Sequence, residues 1–451
     1  MKAFLTPMQQ LGEFEEISRK IAGNRGMLQV TGCIDSQKSH FIYSAASEFE
    51  NHVRTALQRK MVAVCDRGEE GKKEAAEYKR VLQNASFATL IITYSDLRAK
   101  ELYENYRFFD REVLYFPAKD LIFFQADIHS NLLEQQRLQV LKALVERRQV
   151  TIITTMAACM NQLVPFEEWM DHIMEIDSAC EIDTEELKKE LIGLGYERVG
   201  QVEGPGQFAI RGGIIDIFPL TEETPIRIEL WGEEVDSIRS FDVESQRSIE
   251  NLDAIRIYPA AELIPSRKQR EKALARMEKE AKQAEELFRK DGKMEEATRI
   301  RHLMQDCRDQ LEELQEPLSM EGFIEYFMDR KTNFLDYFSG KHALIFLDEP
   351  NRLLESGQAV EMEFRESMKN RLEKGYVLPG QTELLFAHQE TVAAICRKNA
   401  VGLCTLENAR APWSVSGKYS LTVRSVNPYN NSFDLLVKDL QRGKKERYRV
   451  I

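Results

Sequence analysis

The sequence lacks paired cysteines. Its seven (Cys33, Cys65, Cys159, Cys180, Cys307, Cys396 and Cys404) form an odd, scattered set with no CxxC spacing. That argues against a disulfide framework and a thiolate zinc site, and it reads as the reduced thiols of a cytoplasmic protein. A basic excess is missing too: the formal net charge is −12, whereas nonspecific binding of duplex DNA needs a basic footprint. No apolar run approaches the length needed to cross a bilayer. The opening MKAFLTPMQQLGEFEEISRK has no apolar centre of the signal-peptide kind. The seven histidines do not cluster at ligand spacings, and GxSxG and Cys–His arrangements are absent. No catalytic residue and no metal ligand is therefore assigned. What is present, 43% hydrophobic and 30% charged residues in a chain of 451, is the composition of a globular protein of two to four domains.

One more absence is local. Met27–Thr31 (MLQVT) predicts a strand, followed by a loop through Ser39 and a helix from His40 to Ser47. Strand, loop and helix are the setting of a phosphate-binding P-loop, and Gly32, Lys38 and Ser39 nearly complete GxxxxGK[ST]. The second glycine is replaced by Gln37, whose side chain obstructs a turn that must wrap phosphates with its N–H groups. Farther on, ALIFL (Ala343–Leu347) followed by Asp348 and Glu349 imitates a Walker B strand, but Pro350 and Asn351 come next. Both motifs read as relics on a degenerate, RecA-like P-loop scaffold with no cofactor.

Around them runs a βαβα rhythm, the pattern of an α/β fold with a largely parallel sheet. Strands are expected at Met61–Cys65, Thr89–Thr93, Val113–Phe116 and Val150–Thr154, then at Ala343–Leu347, Glu383–Phe386, Val401–Leu403 and Leu421–Val423. Helices are expected over residues 8–23, 69–83, 132–147, 361–373 and 433–442, with a helical, aromatic-rich region from Glu321 to Tyr337. Leu121–Asp127 reads as a loop, and Tyr448–Ile451 as the start of a strand, which suggests a fragment. From Ser266 the composition changes. Leu274, Met277, Ala281, Ala284 and Phe288, then Ala297, Ile300, Met304, Cys307, Leu311 and Leu314 after an Asp291-Gly292 turn, predict an antiparallel helical hairpin.

Between Gly206 and Arg247 the pattern turns to antiparallel strands. Asp183 and Glu186 have capping-box spacing for the preceding helix, and Gly212-Gly213 mark a bulge or a close backbone approach. In Ile226–Trp231, alternation puts Ile226, Ile228 and Leu230 on one face and Arg227, Glu229 and Trp231 on the other. A tryptophan beside charges is either cover for a neighbouring strand or an interface anchor.

GQFAIRGGIIDIFP, PIRIELW and EEVDSIRSFDVESQRS resemble the small β-rich domain shared by the repair helicase UvrB and the bacterial transcription-repair coupling factor (Mfd) family. The resemblance extends over about residues 25–435 at the level of fold and is motif-grade between about 200 and 260. It implies that the domain docks UvrA through Arg211, Arg227 and the aromatic at Trp231, a position where relatives carry Phe. It further implies a non-enzymatic module recruiting UvrA to RNA polymerase stalled at lesions in nucleotide excision repair. ATP and Mg²⁺, and the RNA polymerase and DNA contacts, then belong to motor and polymerase-binding domains outside this sequence. The link between Phe116 and Leu132 is too short for UvrB's DNA-clamping hairpin. The expected organisation is 1–166 and 263–430 as one degenerate P-loop lobe, interrupted by a β-rich domain at 167–262, with 431–451 opening a third domain. The alternative is an ATP-dependent UvrB-type subunit or another P-loop ATPase, which Gln37 disfavours.

Overall fold

The structure, a computed structural model, describes residues 2–23, 26–34, 37–65, 68–121, 131–313, 320–406, 413–422, 429 and 431–447. In chain order the strands are β1 (Gly26–Thr31), β2 (Phe87–Thr93), β3 (Leu114–Phe116), β4 (Gln149–Thr155), β5 (Met174–Asp177), β6 (Glu197–Arg198), β7 (Gln207–Arg211) and β8 (Ile214–Phe218). They continue with β9 (Ile226–Trp231), β10 (Glu234–Phe241), β11 (Ser248–Asn251), β12 (Ala254–Ile257), β13 (His342–Asp348), β14 (Asn399–Cys404) and β15 (Val415–Ser420).

Seven of these make a sheet in the order β15-β1-β14-β13-β2-β4-β3, with every pairing parallel. Such a sheet is covered on both faces, so its strands are apolar throughout. β2 (FATLIIT) is buried at every position. Ala88, Leu90 and Ile92 join one core while Phe87 and Ile91 join the other, as the period of two requires. The second core is closed by Phe14, Ile17, Phe41, Ile42 and Leu102. The first is closed by Leu138 and Leu141 of the helix Asn131–Glu146 and Leu353 of the helix Pro350–Glu373, and it continues into Ile215, Ile217 and Ile228.

Those isoleucines belong to a six-stranded sheet, β11-β10-β9-β8-β7-β6, antiparallel except for the β6–β7 edge. β5 and β12 form a separate antiparallel pair. Trp169 is buried where the chain enters this region, and its Nε1 donates to the Ala261 carbonyl, where the chain leaves, at 3.1 Å. Nearby, Arg137 is fully buried: its Nε and Nη2 meet Glu262 at 2.5 and 3.0 Å, and Lys119 lies 3.2 Å from the same carboxylate.

The helices Arg267–Lys290 and Met294–Glu313 form the expected hairpin, opened by a Ser266–Gln269 capping box. Its seam (Met277, Ala281, Ile300, Met304, Cys307, Leu311) packs on Tyr326, Phe327, Phe364 and Met368. Leu314 lies outside the described residues, as do residues 122–127 of the loop reading and Tyr448–Ile451.

Several expectations are corrected. Met61–Cys65 is no strand but the end of the helix Gln37–Cys65. Its β-branched residues have no sheet to join, Val62 is exposed, and contact with the helix Gly68–Asn84 overrides strand propensity. Glu383–Phe386 is a 3₁₀ turn ending at Glu383 followed by an isolated Asn161–Leu385 bridge. The last strand of the parallel sheet is Val415–Ser420, whose polar alternation hid it; Leu421 lies beyond it, and Val423 is outside the described residues. Glu321–Tyr337 breaks into short turns whose aromatics anchor individually, Phe334 stacking on Phe116 at 3.8 Å between centroids. The expected helix over 8–23 is two, Lys2–Gln9 and Gly12–Gly23. Of the two readings of Gly212-Gly213, the close backbone approach holds and the bulge does not: the pair makes the β7–β8 hairpin turn, and a Cβ on Gly213 would lie 2.9 Å from the Leu230 carbonyl oxygen.

Candidate functional site

Gly32, Lys38 and the Asp348-Glu349 pair lie at the carboxyl ends of β1 and β13, the edge where open parallel sheets place their ligands. Gly32 has φ +83, and a Cβ there would strike the Leu421 carbonyl oxygen at 2.1 Å, so only glycine fits. The helix carrying Gln37, Lys38 and Ser39 starts just after the loop, whose residues Asp35 and Ser36 lie outside the described residues. The Lys38 ammonium is 3% exposed and donates to Asp348 Oδ1 at 2.6 Å and to Glu349 Oε1 at 2.7 Å. The other Asp348 oxygen accepts from Thr93 Oγ1 and Arg98 Nε, each at 3.0 Å. Glu349 sits at φ 57, a left-handed conformation rare for glutamate. Four bonds hold it there: its N–H to the Leu403 carbonyl, and its Oε1 to Lys38 and to the Thr405 N–H and hydroxyl.

The electrostatics agree with this wiring. Burial pushes the Asp348 carboxyl up, but Lys38 and Arg98 outweigh it and hold it below the ordinary value. Burial likewise works against the Lys38 ammonium, and the two carboxylates raise it above its ordinary value. Burial also drives the nearby Cys33 thiol up to about 12 and Cys404 to about 11, so both stay protonated and unreactive. Ser39 Oγ and Gln37 Oε1 are buried without a hydrogen-bond partner. A cleft of about 510 Å³ opens beside the cluster, bordered by Tyr94, Arg98, Arg352 and Thr405.

The second assembly stands on the outer face of the antiparallel sheet. β8 reads IIDIF: Ile215 and Ile217 point into the core, so Asp216 points the other way, directly across from Arg227 on β9. Asp216 is 1% exposed. Its Oδ1 accepts from Arg227 Nε at 2.7 Å, and its Oδ2 accepts from Arg227 Nη2 at 2.9 Å and from Arg211 Nη2 at 2.6 Å. Arg227 also lies over the Phe241 ring at 4.3 Å and donates from Nη2 to Gln246 Oε1 at 2.8 Å. On the same face Glu229 pairs with Arg239. Trp231, at the β9–β10 turn, is 83% exposed. It does not cover a neighbouring strand.

Arg211, Arg227 and Trp231 are thus brought to one face, and Ile226 and Ile228 are buried on the other. The Arg227 side chain is 16% exposed and engaged internally, whereas that of Arg211 is 42% exposed. Sequence reasoning missed Asp216, Phe241 and Gln246, and around Asp348 it missed Thr93 and Arg98. Asp216 had a signal, an acid in the middle of an isoleucine strand. Gln246 had none, because a turn conformation places it.

The UvrB interaction domain family matches residues 174–263, which contain this second face. Over a larger span the chain is similar to the transcription-repair-coupling factor of Bacillus subtilis, 32% identical over 343 residues, 76% of this chain and 28% of that protein. The corresponding figures are 29% over 349 residues for the factor of Staphylococcus epidermidis, 76% of this chain and 28% of that one. For that of Staphylococcus aureus they are 28% over 371 residues, 80% and 30%. The chain spans about 30% of the length of the curated relatives it matches.

Proposed function

From this kinship with the transcription-repair-coupling factors, which extends over three quarters of the chain, we propose that the protein is a UvrB-like protein-binding module of transcription-coupled repair, acting in the cytoplasm. The observation that carries the reading is one sheet face on which Arg211 and Arg227 meet at the buried Asp216 carboxylate and Trp231 stands exposed farther along β9. Its partner is UvrA. Planar guanidinium groups recognise carboxylates and carbonyls, and an exposed tryptophan beside them supplies the anchor that a partner desolvates. RNA polymerase and DNA, together with ATP and Mg²⁺, are engaged by other parts of a longer protein. The module divides at 1–166, 167–262, 263–430 and 431–451.

The module itself is non-enzymatic. What supports this is the relic. A P-loop lysine faces phosphate, but here Lys38 is neutralised by two carboxylates, and the hydroxyl that would ligate Mg²⁺, Ser39 Oγ, is enclosed without a partner. Gln37 stands where the loop needs glycine.

The test pairs UvrA affinity with thermal melting for two variants. Trp231→Ala should weaken binding by about 30- to 1,000-fold with an unchanged midpoint, the loss of about 2–4 kcal/mol expected of an anchor. Ile228→Ala opens a cavity at a residue with no exposed surface and should lower stability first. A Trp231→Ala variant that binds UvrA like the parent sinks the proposal.

A further inference from the structure

The docking face contains a device that its three named residues do not explain. Arg227 spends its Nε and both Nη2 hydrogens on Asp216 and Gln246, which leaves the Nη1 edge. Arg211 spends one Nη2 hydrogen, on Asp216. The two guanidiniums therefore present different chemistry: Arg211 keeps its second Nη2 hydrogen, and with it one two-point edge able to grip a carboxylate with two parallel bonds, while Arg227 offers Nη1 alone, held at a fixed place.

Gln246 fixes that place. It lies in the turn between β10 and β11, where Asp242 Oδ1 accepts from the Ser245 N–H at 2.8 Å and from its hydroxyl at 2.6 Å, and the Gln246 N–H bonds the Asp242 carbonyl at 2.8 Å. The turn puts Gln246 at φ 56, a conformation that favours glycine or asparagine over glutamine. Its Nε2 donates to the Val243 carbonyl at 2.8 Å, which aims its Oε1 at Arg227. A side chain held in a costly backbone conformation, with both ends of its amide spoken for, points to a duty that glycine could not perform.

We infer that Gln246 and Asp216 are positioning residues of this face: they clamp Arg227 with its Nη1 edge outward, and they leave Arg211 as the guanidinium that grips a carboxylate of the partner. The inference rests on the docking reading above. It predicts that binding and stability separate at position 246. Gln246→Gly removes the carboxamide and relieves the backbone, so the full chain should melt at the parental temperature or higher while UvrA affinity falls about tenfold, the worth of a hydrogen bond to a charged group. Asp216→Asn should weaken binding by more than Gln246→Gly does. Both are measured by titration calorimetry beside Trp231→Ala. If Trp231→Ala binds weakly and Gln246→Gly binds like the parent, the positioning role is overturned and the docking reading stands. If Trp231→Ala binds like the parent, the docking reading falls and the positioning role with it. A Gln246→Gly variant that melts well below the parent shows a structural residue only and overturns the inference.

Discussion

Asp348 at the end of β13 and Asp216 in the middle of β8 are both carboxylates with two cations against them, 2% and 1% exposed. The cations differ. Around Asp348, Lys38 is 3% exposed and tied to a second carboxylate, and Arg98 turns its remaining end to Glu101. Around Asp216, the Arg211 side chain remains 42% exposed, with an exposed tryptophan on the same face. One assembly has consumed its charges internally; the other holds donors ready at the surface. A buried acid with cations around it thus says nothing about function until the outward edges of the cations are counted.

Removing the acid should have its largest effect in the closed assembly. Asp348→Ala leaves the buried Lys38 with Glu349 alone and Arg98 with Glu101 alone, and the loss of one partner from a buried network should cost about 3–5 kcal/mol in denaturant unfolding. A variant as stable as the parent would mean that the closed assembly relaxes open, and the contrast would collapse. A second measurement extends the contrast to acid. Burial raises the Glu262 carboxyl, but Arg137 and Lys119 overcome it and bring it down to about 2; Asp348 is likewise depressed. A depressed carboxylate contributes stability above its unfolded pKa, near 4.5 for glutamate, and loses it as pH falls through the folded value. Urea midpoints should therefore be insensitive to these groups from pH 7 to about 5 and fall between about 4.5 and 2, and Glu262→Gln should flatten part of that fall. An equal fall in the variant would contradict the ion-pair origin.

The open assembly should divide when its arginines are cut separately. Arg227→Ala withdraws the two-point partner of a buried acid and should lose about 1–3 kcal/mol of stability, whereas Arg211→Ala should stay within about 0.5 kcal/mol. Thermal melting of both variants decides it, and equal losses would remove the distinction. The smallest expected effect is none: calorimetry with ATP and Mg²⁺ should register no binding heat. Micromolar binding abolished by Lys38→Ala would show that the closed assembly opens for nucleotide.

The buried strands of the parallel sheet were legible because short apolar runs bounded by turn residues leave few alternatives. The meeting of Lys38 and Asp348 was legible in the same way, since both follow strand ends although 310 residues separate them. Val415–Ser420 was not, because an edge strand with one wet face carries polar residues that look like loop. Met61–Cys65 misled for the opposite reason: β-branched residues near the end of a long helix imitate a strand. In the candidate face, alternation placed Arg227 and Trp231 correctly on one side. It could not tell that Arg227 is engaged at Nε and Nη2, because that depends on Asp216, two strand registers and a turn at Gln246, all set by tertiary pairing.

The order of the parallel sheet also has a consequence in time. Among the described residues β1 pairs only with β14 and β15, so the first strand of this sheet has no hydrogen-bonding neighbour until Asn399–Cys404 exists. At about 5–20 residues per second of synthesis, the roughly 370 intervening residues keep it waiting on the order of 20–70 s. During that interval Met27, Leu28 and Val30, all buried in the finished protein, sit on a nascent chain whose later, locally paired antiparallel sheet can fold first. β1 thus waits for its hydrogen-bonding partners through most of the synthesis of this chain, and a release of the chain before residue 399 would leave its backbone unpaired.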